Sequence, residues 1–207
     1  MRRTYYEVTL PINPGWMLAG SVDIRHKDNA VLGTVGTDLA NPMRWKEPPH
    51  VILANLGYTP SQPGGVATIE EVRRFVKKVG PVAKFSQGPE AGNQFEINVE
   101  LFGYMQDSLR NAWLLKDARR LWLQRGFENL DNFPVSWATG GIELRPADCW
   151  TYIRLLLMRD LIEKRARVCA NQSCPAPYFI ARRNNQKFCE WKCANVVAQR
   201  DFRKRRK

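Results

Sequence analysis

A chain of 207 residues with 44% hydrophobic and 25% charged residues has the length and composition to bury a core, which excludes a disordered chain. Its longest strongly apolar stretch, Ile153 to Ile162, is broken by Arg154, Arg159 and Asp160 and is too short for a bilayer span. The net charge of +12 is lopsided: residues 1–150 hold 17 Lys and Arg against 16 Asp and Glu, whereas residues 151–207 hold 15 against 4. That asymmetry points to a polyanion as the partner of the C-terminal quarter.

The N-terminus, "MRRTYYEVTLPINPGW", lacks the apolar run of a secretory signal, so the expected compartment is the cytoplasm, where thiols stay reduced. In chain order, the alternating segments "TYYEVTL", "MLAGSVDI" and "AVLGTVGTDL" predict strands. "NPMRWKEPPH" and "GYTPSQPGG" predict loops on their Pro and Gly content. Thr68 and Glu71 have the spacing of a capping box, and Ile69, Val72, Val76 and Val79 share one face of the helix that follows, which Gly80 ends. From Asn98 to Arg125, apolar residues at three- and four-residue steps (Phe102, Met105, Leu109, Trp113, Leu121) predict one long helix closed by Gly126. A hairpin around Gly140 and Gly141 follows, and Pro146 opens a last amphipathic helix through Leu161. The expected fold class is α+β: a mixed body over residues 1–165 with a long helix, then a small module over 166–207 ending in a basic helix.

The first 148 residues contain no cysteine; Cys149 sits on the last body helix as an expected core residue, and the other four follow in Cys169-x4-Cys174-x14-Cys189-x3-Cys193. Two close pairs separated by a connector are what a tetrahedral metal site asks of a chain, each pair presenting two thiolates to one ion. Zinc fits four thiolates in its structural mode, with iron as the competing metal. Buried apolar cysteines, disulfides and catalytic thiols are the other readings. Polar neighbours such as Asn171, Gln172 and Lys192 weigh against simple burial, and a reducing compartment weighs against disulfides. Neither His26 nor His50 stands in a context that would make it the partner of a catalytic thiol.

Within the connector, Tyr178, Phe179 and Phe188 are expected to cover the metal site, and Arg182, Arg183, Asn184 and Asn185 to occupy a hairpin tip. "ANVVAQRDFRKRRK" then predicts a helix on which Val196, Val197 and Phe202 pack back, while Arg200, Arg203, Lys204 and Lys207 form a stripe on another side.

The stretch "RVCANQSCPAPYFIARRNNQKFCEWKCAN" resembles the CGNR zinc finger: an RxCxNxxC knuckle, an aromatic, an Arg-Asn pair, an aromatic-Cys step, and a final Cys with a small residue and Asn. It spans about Arg167 to Arg206, with Cys193-Ala194-Asn195-Val196 where the family's name motif reads Cys-Gly-Asn-Arg. The resemblance implies that Cys169, Cys174, Cys189 and Cys193 are zinc ligands, that the C-terminal helix contacts DNA, and that the N-terminal body is of the ABATE type. Such proteins are regarded as stress-responsive bacterial transcription regulators.

The expected function is DNA-binding regulation through a structural Zn2+. Arg182, Arg183, Asn184 and Asn185 are placed to reach base edges, and Lys187, Arg200, Arg203, Lys204, Arg206 and Lys207 to meet phosphates. A zinc-braced module for RNA or protein partners is the alternative. No Ser-His-Asp arrangement, Gly-rich phosphate loop or HExxH motif appears, so no enzymatic activity is expected. The body is free to sense a small molecule, with Arg44, Trp45 and His50 of the Pro-rich loop as pocket candidates against simple loop solvation, and a homodimer is compatible with the reading. No membrane role is expected.

Overall fold

The structure is a computed structural model describing residues 17–25, 29–39, 45–62, 65–82, 94–128, 135–138, 141–144, 146 and 148–206. Two of the expected strands form as β1 (Met17–Arg25) and β2 (Ala30–Leu39), paired antiparallel with Val22 opposite Gly33 and Arg25 opposite Ala30. The expected strand over "TYYEVTL" lies outside the described residues.

The Pro-rich stretch departs from expectation, because Pro49 opens a short helix, α1 (Pro49–Asn55). Proline at the first helical position gives up an N–H that would be unpaired there anyway, so it starts this helix rather than excluding it. At the C-terminal side of α1, Gly57 takes φ of 68°, and a Cβ there would meet the Ala67 backbone at 2.9 Å. Helix α2 (Ile69–Val79) follows with the expected capping box: the Glu71 N–H donates to Thr68 Oγ1 at 3.3 Å, and the Thr68 N–H donates to Glu71 Oε2 at 2.8 Å. Val72, Phe75, Val76 and Val79 are buried, and Gly80 caps the helix with φ of 122°.

An unexpected strand, β3 (Gln94–Asn98), buries Phe95 and Ile97 and pairs with β2 so that Val31 faces Ile97, completing a sheet of order β1-β2-β3. Asn98 then caps the next helix, its Oδ1 accepting from the Glu100 N–H at 2.8 Å.

The expected long helix is two helices, α3 (Val99–Leu114) and α4 (Lys116–Glu128), broken where Leu115 turns extended. Arg119 takes the last α3 carbonyls, donating Nε to Ala112 O at 3.3 Å and Nη2 to Trp113 O at 2.8 Å. Trp122 Nε1 donates to Ser108 Oγ at 2.9 Å, which ties α4 back against α3. Leu121, which the spacing assigned to the buried stripe, is exposed, whereas Phe102, Leu109 and Trp113 are buried as expected.

The hairpin forms as β4 (Val135–Ala138) and β5 (Gly141–Leu144). Helix α5 (Cys149–Ile162) starts after Pro146, because Asp148 is its N-cap and accepts from the Thr151 N–H at 2.7 Å. Cys149 is fully buried. The chain ends in β6 (Ala166–Val168), β7 (Tyr178–Ile180) and α6 (Trp191–Arg205).

The main core joins the sheet residues Val31, Phe95 and Ile97 to the α2 face, and continues through Leu53, Phe102, Trp113, Ile153 and Leu157. Tyr178 belongs to this core and does not cover the cysteines; its ring lies 5.5 Å from Trp113 and 6.1 Å from Tyr58. A second, small cluster holds Cys169, Cys174, Phe179, Ala181 and Cys193, with Phe188 and Cys189 packed against it. The β6–β7 hairpin thus has one aromatic, Tyr178, in the body and the next, Phe179, in the module, because neighbouring strand residues point to opposite faces. Among the described residues no helix is long and apolar enough to cross a membrane.

Candidate metal centre

Local turns deliver each cysteine. The Cys169 N–H donates to Pro177 O at 2.8 Å, and the Cys174 N–H donates to Asn171 O at 2.9 Å, closing a tight knuckle that the Ser173 N–H reinforces on Asn171 Oδ1 at 3.2 Å. The Ala170 N–H donates to Lys187 O at 2.9 Å and ties this knuckle to the approach of the second. Cys189 precedes α6, and Cys193 stands in its first turn.

The four Sγ atoms all lie within 4.8 Å of one another, with Cys174 to Cys189 and Cys189 to Cys193 each 3.6 Å apart. A zinc ion at roughly 2.3 Å from each of four tetrahedral thiolates implies sulfur-to-sulfur edges of about 3.8 Å, so the donor set fits such an ion. All five cysteines are free, and 3.6 Å is far beyond the roughly 2.05 Å of a disulfide.

Burial pushes the Cys174 thiol up to about 11 and drives Cys189 higher still. At Cys193 burial acts in the same upward direction, but hydrogen bonds from Asn171 (Nδ2 to Sγ, 3.5 Å) and from the other thiols outweigh it and hold the group below its ordinary value. A divalent cation would offset the charge of four thiolates at this spacing, their protons being released on binding. Four protein ligands fill a tetrahedral shell, leaving no open position for substrate. Asn171, which the sequence offered as a polar neighbour weighing against burial, is itself buried and bonds Cys193 Sγ, the place of an outer-shell partner for a bound ion.

Gln186 carried no assignment from the sequence. Its Oε1 accepts from the Arg182 N–H at 2.8 Å, and its Nε2 donates to Phe188 O at 2.8 Å, so one side chain fixes the connector tip to the Cys189 turn. Arg182, Arg183, Asn184, Asn185 and Lys187 are exposed at this tip, where Arg167 Nη2 donates to Asn184 O at 3.3 Å.

Helix α6 carries the remaining expected contacts, with Arg203, Lys204 and Arg206 exposed, Arg200 half-buried and Lys207 outside the described residues. Val196 and Phe202 do not pack back as expected: they are 49% and 53% exposed, and Cys193 is the one α6 residue that is buried. Among the described residues neither joins a buried apolar cluster. Val196 instead shares a side with Gln199, Arg200, Arg203 and Lys204 along a depression of about 440 Å³, and the Arg206 guanidinium lies 4.4 Å over the Phe202 ring.

In the body, His50 is neither loop-solvated nor pocket-lining. It is fully buried on α1, with Nε2 3.0 Å from Asp160 Oδ2 in a short, poorly aligned contact, and its ring stacks on Trp113 at 5.7 Å. Burial holds the imidazole below its ordinary range. Trp45 donates to Lys78 O at 3.1 Å, and Arg44 lies outside the described residues. No sequence pattern announced the His50–Asp160 pair, whose members are 110 positions apart.

These features define a class: a mixed α+β protein carrying a four-cysteine cluster suited to a metal ion such as zinc. No protein-family model and no curated protein matches the chain, so the CGNR resemblance rests on the residues of the module themselves.

Proposed function

We propose that this protein is a non-catalytic DNA-binding regulator whose four cysteines hold a structural zinc ion and thereby fix two basic elements, the Arg182–Asn185 tip and α6. The observation that carries this reading is the set of exposed cations on α6, a helix whose one buried residue is Cys193. Residues 166–207 hold 11 Lys and Arg against Glu190 and Asp201 alone. A solvent-facing helix with that balance is suited to lie against phosphates, releasing counterions as it does so. Arg and Asn at the tip offer bidentate donor patterns for guanine and adenine.

Zinc supplies the geometry: it holds the two knuckles together and sets the direction in which α6 leaves the module. The body, joined to β7 by Asn55 and to β6 by Trp113, carries any signal that reaches the module.

The test is duplex binding by fluorescence anisotropy across a salt series. With six or more phosphate contacts, affinity falls by about 10³-fold or more between roughly 50 and 200 mM salt. A flat salt dependence would remove the polyanion reading. Preferential retention on RNA would transfer the module to the RNA class.

A further inference from the structure

Among the tryptophans whose side chains are described, Trp45, Trp113 and Trp122 donate to Lys78 O, Arg167 O and Ser108 Oγ, and Trp150 lies edge-on to Trp122. Trp191 differs. It is 69% exposed, with no ring or hydrogen-bond partner among the described residues. Its backbone is nonetheless pinned, two positions after Cys189 and two before Cys193, in the first turn of α6, where the Ala194 N–H donates to Glu190 O at 3.4 Å. A large indole held in water by a metal-braced turn exposes apolar area that the fold makes no use of.

Its surroundings define what would cover it. Lys187 and Lys192 are exposed nearby in sequence, Glu190 is the adjacent carboxylate, and the module as a whole is strongly cationic. An aromatic face among cations matches a partner that presents a π face and negative charge together, which is an unstacked nucleotide. An intact duplex offers the phosphates but keeps its base faces stacked.

We propose that Trp191 stacks on an unpaired base of the DNA that the module holds, so that the preferred target is a duplex with a locally opened strand. This rests on the DNA-binding reading above. From Trp191 to the exposed Arg205, which the helical repeat places on the same side as Trp191, Asn195, Ala198 and Phe202, α6 rises about 21 Å, roughly the length of six base pairs. Arg205 thus engages paired DNA while the indole occupies the opened step at the other end of the helix.

The test uses the full-length, metal-loaded protein with four probes in anisotropy: a short intact duplex, the same duplex carrying two unpaired central thymines, an oligo-dT strand and an oligo-rU strand. The wild type binds the bulged duplex about tenfold more tightly than the intact one, the order expected of a single base–aromatic stack. Trp191→Ala abolishes that advantage and leaves intact-duplex affinity, its salt slope and the metal content unchanged; Trp191→Phe keeps most of it. Equal wild-type affinity for bulged and intact duplexes would overturn the assignment while sparing the DNA-binding reading. So would a preference that survives Trp191→Ala, or rU binding more tightly than dT. Absence of salt-dependent binding to every DNA probe would remove the DNA-binding reading itself, and the Trp191 assignment with it.

Discussion

Asn55 on α1 pairs with Tyr178 on β7 as a strand would: its Nδ2 donates to Tyr178 O at 2.8 Å and its Oδ1 accepts from the Tyr178 N–H at 3.0 Å. One side-chain amide thus satisfies both backbone groups of a residue on the edge of a three-residue strand. Trp113 adds a second tie, donating Nε1 to Arg167 O at 3.1 Å on β6. The body therefore grips the hairpin that leads into the cysteine cluster.

Replacing Asn55 with Ala leaves both Tyr178 groups without partners in a half-buried setting and is expected to lower stability by about 1–3 kcal/mol in urea denaturation. Asn55→Asp is expected to fall between, since the carboxylate still accepts from the N–H but faces the carbonyl with a like charge. Metal content stays at the wild-type level in both, because Asn55 bonds to Tyr178, which belongs to the main core and not to the cysteine cluster.

Asn171→Ala removes the hydrogen bond to Cys193 Sγ and the Oδ1 acceptor of the Ser173 N–H. Loss of an outer-shell partner of this kind typically weakens metal binding by about 10- to 100-fold. Competition with a chromophoric chelator measures it, and unchanged affinity would deny Asn171 that role.

The buried pair on α1 and α5 makes the fold sensitive to acid. Burial holds His50 below its ordinary value of 6.5, so the unfolded chain takes up a proton that the folded chain refuses, and stability falls as pH drops below that value. Burial pushes Asp160 upward, yet contact with His50 and the nearby Arg159 and Arg165 outweigh it and leave the group below 3.8, so its contribution persists above that pH and is lost in stronger acid. The expected slope is up to about 1.4 kcal/mol per pH unit below the His50 reference value. Urea midpoints from pH 8 down to about 5 in wild type and His50→Gln test it; the variant should be flatter over that window.

Arg110, buried on α3, donates to three carbonyls at the end of α1 and beyond: Ala54 O at 2.9 Å, Leu56 O at 2.7 Å and Gly65 O at 2.8 Å. Gln106 supports the same turn through Leu53 O and Leu56 O. Arg110→Met keeps much of the side-chain volume but takes this donor from Ala54 O and Gly65 O, Leu56 O retaining Gln106, and is expected to cost roughly 2 kcal/mol or more in thermal or urea unfolding.

The cysteine cluster was legible in the sequence because its signal is local: two short spacings fix two knuckles, and four thiols in one short stretch have few other uses. Helix α2 was legible for the same reason, since Thr68, Glu71 and Gly80 mark both ends within thirteen positions. The α3–α4 break was not, because apolar spacing continues across Leu115 and the decisive event is Arg119 claiming carbonyls of the preceding turn. Strand β3 offered five alternating residues beside a helix cap, too short a pattern to separate from loop. His50 with Asp160 and Asn55 with Tyr178 are long-range pairs that exist only after the core closes. The outward setting of Val196 and Phe202 was missed because periodicity shows which residues share a face but not whether anything stands opposite it.

The account depends most directly on the metal. Elemental analysis of reduced, chelator-free protein should find one zinc ion per chain, and the same measurement on Cys174→Ser should find the ion lost together with the order of the module while the body remains folded. Wild-type protein without metal, or Cys174→Ser with its full complement, would contradict it.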